Sequence, residues 1–158
     1  MATRENYKTV MEALEGYMDA LHDQAYELVM QHWEAVKLQE RKTPGWENNS
    51  NLQLRCAKKG NSLRIDWCGI KWLGSKKMSN RRMVRIAIPK PAGVHNYSLP
   101  KLYVYAKEWE KPLIKDTEER LGAIRREASH VIKAIIAVRN AAKVASSDAS
   151  CLFMEGAD

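Results

Sequence analysis

The hydrophobic period of this chain changes twice, from roughly 3.5 residues to 2 and back, and that change limits what it can fold into. Residues 7–36 place Tyr7, Met11, Leu14, Met18, Leu21, Ala25, Leu28, His32 and Ala35 at alternating four- and three-residue steps, a heptad seam along one helical face. Val10, Tyr17, Val29 and Val36 widen the stripe, as in a helix that meets more than one neighbour. The spacing predicts a helix over residues 5–42. Gly16 is its weak point, since glycine in a helix interior costs about 1 kcal/mol relative to alanine. Thr43-Pro44-Gly45 ends it, because proline cannot continue a helix and glycine frees the backbone to turn.

A second helical region opens at Ser98-Leu99-Pro100, where serine is suited to cap free amides and proline sits harmlessly in the first turn. Leu99, Leu102, Ala106 and Trp109 form one stripe. Ile114, Thr117, Leu121, Ile124, Ala128, Val131, Ile135, Val138, Ala142 and Ala145 form a second heptad seam. Pro112 separates the two, which predicts helices over 98–111 and 112–146 with a kink or break near Lys111, and a frayed, disordered tail over 147–158. Two long helices with matching seams pair antiparallel within one chain or across a homodimer, and periodicity leaves both open.

Between the helices, Leu52, Leu54 and Cys56 alternate with Gln53, Arg55 and Ala57, the mark of a half-buried strand. Lys58-Lys59-Gly60-Asn61 supplies turn residues, and Leu63, Ile65 and Trp67 then alternate with Ser62, Arg64 and Asp66, which makes a hairpin. Gly69 is read as a bulge or bend that shifts the phase and turns Ile70 and Trp72 inward beside Trp67, a register that favours core packing of both tryptophans over the alternative that they stack on exposed bases. A third strand fits Arg82–Ile88, with Val84, Ile86 and Ile88 inward, and Pro89 ends it. The expected fold is α+β: a small antiparallel sheet of about three strands over residues 50–90, held between long N- and C-terminal helices in a single domain, 1–146.

Charge is concentrated on that sheet. Residues 55–90 carry eleven Lys and Arg against Asp66 alone, whereas residues 1–54 carry five against nine acids and residues 91–158 carry ten against nine. A local excess of this kind makes a focused positive field that attracts a polyanion. If the apolar faces cover the helices, Arg55, Arg64 and Arg85 stand together on the solvent face. The hairpin turn adds Lys58 and Lys59, strand two adds Lys71, and the Gly74–Arg82 loop adds Lys76, Lys77, Arg81 and Arg82. Arginine forks fit phosphate and lysines act as point charges, so these ten residues are the candidate DNA-binding set. The bland alternative is edge protection, but blocking an edge works with either sign of charge, and here acids are almost absent.

Catalytic constellations are missing from the pattern. His22, His32, His95 and His130 lack metal-ligand spacing, and no phosphate loop, zinc-protease motif or nucleophile elbow occurs. Asp19, Asp23 and Glu27 line one helical face without the compact ligand cluster of a metal-dependent nuclease. Tyr97, Tyr103 and Tyr105 have only His95 nearby, which argues against a DNA-nicking tyrosine. Neither cofactor nor metal is expected. Cys56, Cys68 and Cys151 read as reduced thiols, and the start Met-Ala-Thr-Arg-Glu-Asn has no export pattern, which predicts a cytoplasmic location. No apolar run approaches the ~18–20 residues of a membrane span.

The order of Lys-Gly-Asn-Ser-Leu-Arg-Ile-Asp-Trp (59–67), Ile-Lys-Trp (70–72), a basic stretch, Leu-Tyr-Val-Tyr-Ala-Lys-Glu-Trp-Glu (102–110) and Glu-Glu-Arg-Leu-Gly-Ala-Ile-Arg-Arg (118–126) resembles the MobI family over roughly residues 5–140. These are conjugative transfer proteins of integrative conjugative elements and large conjugative plasmids. The resemblance implies an auxiliary protein that acts at the origin of transfer and helps a relaxase initiate mobilisation. It carries no residue-level roles. Charge and resemblance together give the expectation of a non-enzymatic DNA-binding accessory protein with a relaxase or other mobilisation protein as partner. The alternative is a coiled-coil interaction protein without DNA contact, in which the seams are the working surface.

Overall fold

The computed structural model describes residues 2–155, with side-chain surroundings for residues 4–148. Helix α1 spans Ala2–Lys42 and helix α3 spans Lys111–Glu155. Between them lie strands β1 (Leu52–Lys59), β2 (Ser62–Leu73) and β3 (Arg82–Ala87), followed by a short helix α2 (Leu99–Tyr103). The sheet is antiparallel in the order β1-β2-β3, so the α+β expectation holds.

The two long helices pack on each other within one chain, as the His32–Thr117 and Tyr17–Glu127 side-chain contacts show. Contacts that descend α3 as they climb α1 define an antiparallel pair. On α3 the buried positions Ile114, Thr117, Leu121, Ile124, Ala128 and Ile135 follow the expected seam. On α1 the buried set is Met18, Leu21, Ala25, Val29, His32 and Val36. It leaves the strict heptad at Val29 and Val36, because an unsupercoiled helix repeats every 3.6 residues and drifts off a 3.5-residue seam.

The sheet lies on this helical pair and presents Leu52, Leu54, Ile65 and Trp67 to it. Trp33 donates its indole N–H to the Leu54 carbonyl at 3.2 Å, which joins α1 to β1. The join to α3 is polar and buried. Arg125 forks onto Glu118, with Nη1 2.6 Å from Oε1 and Nη2 3.3 Å from Oε2. The same guanidinium donates to the Ile65 and His95 carbonyls, and Glu118 accepts from the Trp67 indole at 2.6 Å and from the Tyr97 amide at 2.8 Å. Every one of those partners lies on a different stretch of chain from α3. Pairing and hydrogen bonding on both sides are what allow two charges to be buried together.

Four expectations need correction. β2 is one regular strand of 12 residues with no bulge at Gly69: its pairing runs from Ser62 to Gly69 with β1 and from Cys68 to Leu73 with β3. The glycine serves close approach instead, since a Cβ there would lie 2.4 Å from Cε1 of Tyr105. With no phase shift, Trp72 falls on the face opposite Trp67. The helix expected over 98–111 stops at Tyr103, Ser98 makes no side-chain cap, and residues 108–110 form a single 3-10 turn. That break is held by Glu110, a fully buried carboxyl that accepts from Ser50 Oγ at 2.7 Å and from the Lys107 amide at 3.2 Å. Burial pushes the Glu110 carboxyl above its ordinary pKa. Finally, α3 continues beyond residue 146 to Glu155, because nothing in Ala145–Glu155 is Pro or Gly and the first breaker is Gly156. Of the expected disordered tail, residues 156–158 lie outside those described.

Two outcomes test this architecture. Arg125→Ala leaves Glu118 as an unpaired buried carboxylate and is expected to cost about 3–5 kcal/mol in urea unfolding. His32, 5% exposed and bonded through Nδ1 to Thr117 Oγ1 at 2.9 Å, is pushed by burial from 6.5 down to about 4. A group depressed in this way contributes stability that is present above pH 6.5 and lost as pH falls toward 4, roughly 3 kcal/mol over the window. Denaturant titrations across that range should show the loss in the native chain and a flatter profile in His32→Gln.

Candidate nucleic-acid interface

One face of the sheet is covered by the helices and the other is bare, so strand alternation decides where each cation points. Register places Arg55, Lys59, Arg64 and Arg85 on the bare face, all exposed. Arg55 stands across from Asp66, the single acid of this region, and Arg64 from Ala57. Arg85 sits across from Ile70 and donates from Nε to Gln53 Oε1 at 3.0 Å, which orients its fork over the sheet. Among the described residues, none of these four cations forms an ion pair.

Three more cations lie in the turn that links β2 to β3. Lys76 and Lys77 sit within it, and Arg81 leads out of it into β3. The turn is tightly bonded to itself. The Ser75 amide donates to Asn80 Oδ1 at 2.9 Å, the Lys77 amide to Ser75 Oγ at 3.1 Å, and the Met78 amide to the Ser75 carbonyl at 3.2 Å. Gly74 opens it with φ +81°, and a Cβ at this position would meet the Asn80 carbonyl oxygen at 2.3 Å. The loop expected over Gly74–Arg82 is thus a hydrogen-bonded turn that carries these cations.

The remaining three of the ten candidates point the other way. Lys58, Lys71 and Arg82 share the register of Leu54, Trp67 and Ile86 and project on the helix side. Lys58 reaches across to α1 and pairs with Asp19. Lys71 and Arg82 are exposed toward the end of the sheet. Alternation is the reason: neighbours such as Lys58 and Lys59 cannot share a face in a regular strand. Asp19, one of the three acids that line a face of α1, is accounted for by Lys58.

Trp72, read from the sequence as core in preference to a base-stacking platform, lies outside the core. It is 52% exposed on the bare face, next to Met83 of β3 and under the Arg81 guanidinium, which lies 4.6 Å from the ring centroid. Counting the alternation straight through Gly69 from Trp67 would have found it. Trp67 itself is core, with its ring edge-on to His32.

Among the described residues no three His, Cys, Asp or Glu side chains group as a metal site, and no helix is long and apolar enough to cross a membrane. Burial, with Asp66 nearby, pushes the half-buried Cys56 thiol above its ordinary pKa, away from the thiolate a nucleophile needs.

Comparison with known families matches the MobI profile, described as MobI protein, over residues 21–139. That span runs from mid-α1 through the sheet to most of α3. The chain belongs to the MobI family. Its membership ties it to conjugative mobilisation. No curated protein and no solved structure matches it.

The turn geometry is open to a direct check. Gly74→Ala forces a side chain into left-handed backbone at a cost of about 1–2 kcal/mol. Native-state hydrogen exchange should then show Met78, Ser79 and Asn80 amides losing roughly tenfold protection while the Trp67 amide is unchanged.

Proposed function

We propose that this MobI-family chain is a non-enzymatic DNA-binding accessory protein that acts at the origin of transfer and assists relaxase-dependent initiation of mobilisation. The observation that carries the reading is the convergence of Arg55, Arg64 and Arg85, from three different strands, on the one sheet face the helices leave bare. Lys59 and the Lys76–Lys77 turn extend that cationic surface, and Asp66 is the only acid on it. Arginine forks on adjacent strands suit successive phosphate oxygens, and cations without carboxylate partners lose no ion pair when they bind.

The helical layer supports the sheet from behind and supplies the surface for a relaxase or other mobilisation protein. Its heptad seams are buried between α1 and α3, which weighs against the reading in which they are the working surface. The role of the protein at the origin is binding and recruitment in the cytoplasm, without bond-making chemistry of its own.

Neutralising phosphates releases counterions, so affinity should fall steeply with salt. Binding of an origin-of-transfer duplex, measured by fluorescence anisotropy across a salt series, is expected to give a steep log–log slope for the native chain. The Arg55/Arg64/Arg85→Ala triple variant should bind at least tenfold more weakly, with a slope shallower by roughly 2–3. Equal affinity and equal slope in the two proteins would refute the sheet as the DNA-binding surface. Nicking of supercoiled origin DNA on addition of a divalent cation would refute the non-enzymatic role.

A further inference from the structure

The environment of Trp72 carries the reading further. Its ring is half exposed on a strand whose other tryptophan, Trp67, is 1% exposed, so burial was available to an indole on β2 and Trp72 does not use it. On the β1 side, pairing ends at Leu52–Gly69, with a last bond from the Ile70 amide to the Asn51 carbonyl at 2.7 Å. No strand therefore borders Trp72 on that side. On the β3 side its direct neighbour is Met83, 41% exposed, and Arg81 lies over the ring. Arg85 lies two residues beyond Met83 on the same face.

An apolar π-surface, a polarizable thioether and a guanidinium, set beside phosphate-binding cations, are the parts of a base-stacking site. Intact duplex DNA presents phosphates and base edges but keeps its base faces stacked, so it offers an exposed indole nothing to stack on. Unpaired bases offer that surface. We propose that the Trp72 end of the sheet, formed by Trp72, Met83 and Arg81, binds unpaired bases of single-stranded DNA, while Arg55, Arg64 and Arg85 hold the backbone. This rests on the DNA-binding role proposed above and names the form of DNA that the site takes. A base stacks on the indole, and the fixed Lys76–Lys77 turn stands beside it for the adjoining phosphates. Such a site favours an origin that is locally melted over one that is fully paired.

The test compares the full-length native chain with Trp72→Ala, Trp72→Phe and the Arg55/Arg64/Arg85→Ala variant at one salt concentration. Each is titrated against a labelled thymidine oligonucleotide, an abasic oligonucleotide of equal length, and a duplex of equal length. Trp72→Ala is expected to weaken binding to the thymidine strand roughly five- to hundredfold and to change duplex affinity less than twofold. Trp72→Phe should retain most of the single-strand affinity, and the native chain should bind the abasic strand about as weakly as Trp72→Ala binds the thymidine strand. Equal loss on both DNAs, no loss on either, or undiminished binding of the abasic strand would overturn the stacking site. The arginine variant separates the two ideas. If it loses both DNAs while Trp72→Ala loses neither, stacking alone fails; if it binds like the native chain, the DNA-binding role fails with it. Thermal melting by circular dichroism confirms that each variant is folded.

Discussion

The buried pair of Glu118 and Arg125 is the point from which the rest of the molecule is positioned. Both side chains are almost wholly removed from water, at 3% and 9% exposure, and two such charges are tolerable only with full hydrogen bonding. Arg125 spends its donors on the Ile65 carbonyl of β2 and the His95 carbonyl of the segment after β3, besides Glu118. Glu118 spends its acceptors on the Trp67 indole and the Tyr97 amide. One polar cluster on α3 thus locks the sheet and the crossover to the C-terminal helices at once. Apolar packing around Leu21, Leu121 and Ile135 supplies the driving force, but it is non-directional. The ion pair, through the Trp67 indole, anchors the face of β2 that its apolar alternation turns inward.

Once that face is set, the distribution of cations follows from geometry alone. Side chains on a strand alternate, so fixing Trp67 inward fixes Arg64, Cys68 and Trp72 on the opposite face. Covering one side of a three-stranded sheet with two helices leaves the other side without a layer of its own. Arg55, Arg64 and Arg85 are exposed for that reason, and Lys58 is not free because its register sends it to Asp19. A hydrophobic layer over the bare face would have neutralised the site. The tightly bonded turn at residues 74–80 then adds cations at one end without closing over the sheet.

The departures at Gly69–Trp72 and after Tyr103 share a cause. Ile70 and Trp72 are apolar, and apolar residues on a strand were read as facing the core, which required a break in phase at Gly69. The actual reason for that glycine is the Tyr105 ring packed against it, a contact between residues 36 positions apart that no local pattern carries. Likewise, Leu99, Leu102, Ala106 and Trp109 have helical spacing, yet the chain breaks after Tyr103. The buried carboxyl of Glu110 ties that segment to Ser50 near the start of β1, and the long-range bond overrides local propensity. The extension of α3 past residue 146 is the opposite case, since Ala145–Glu155 lacks any breaker and the sequence was legible there.

Period by itself determined the two long helices, the hairpin, the third strand and the face on which Arg55, Arg64 and Arg85 stand, because these follow from spacings of two and about 3.6 residues. Composition determined that the positive charge sits on the sheet rather than on the helices. Tertiary structure alone decided that the seams close within one chain, that the Tyr105 ring packs against Gly69, and that Lys58 is committed to Asp19. Those outcomes depend on which distant surfaces meet. A repeating pattern records that a residue must be covered or solvated, and it does not record by what.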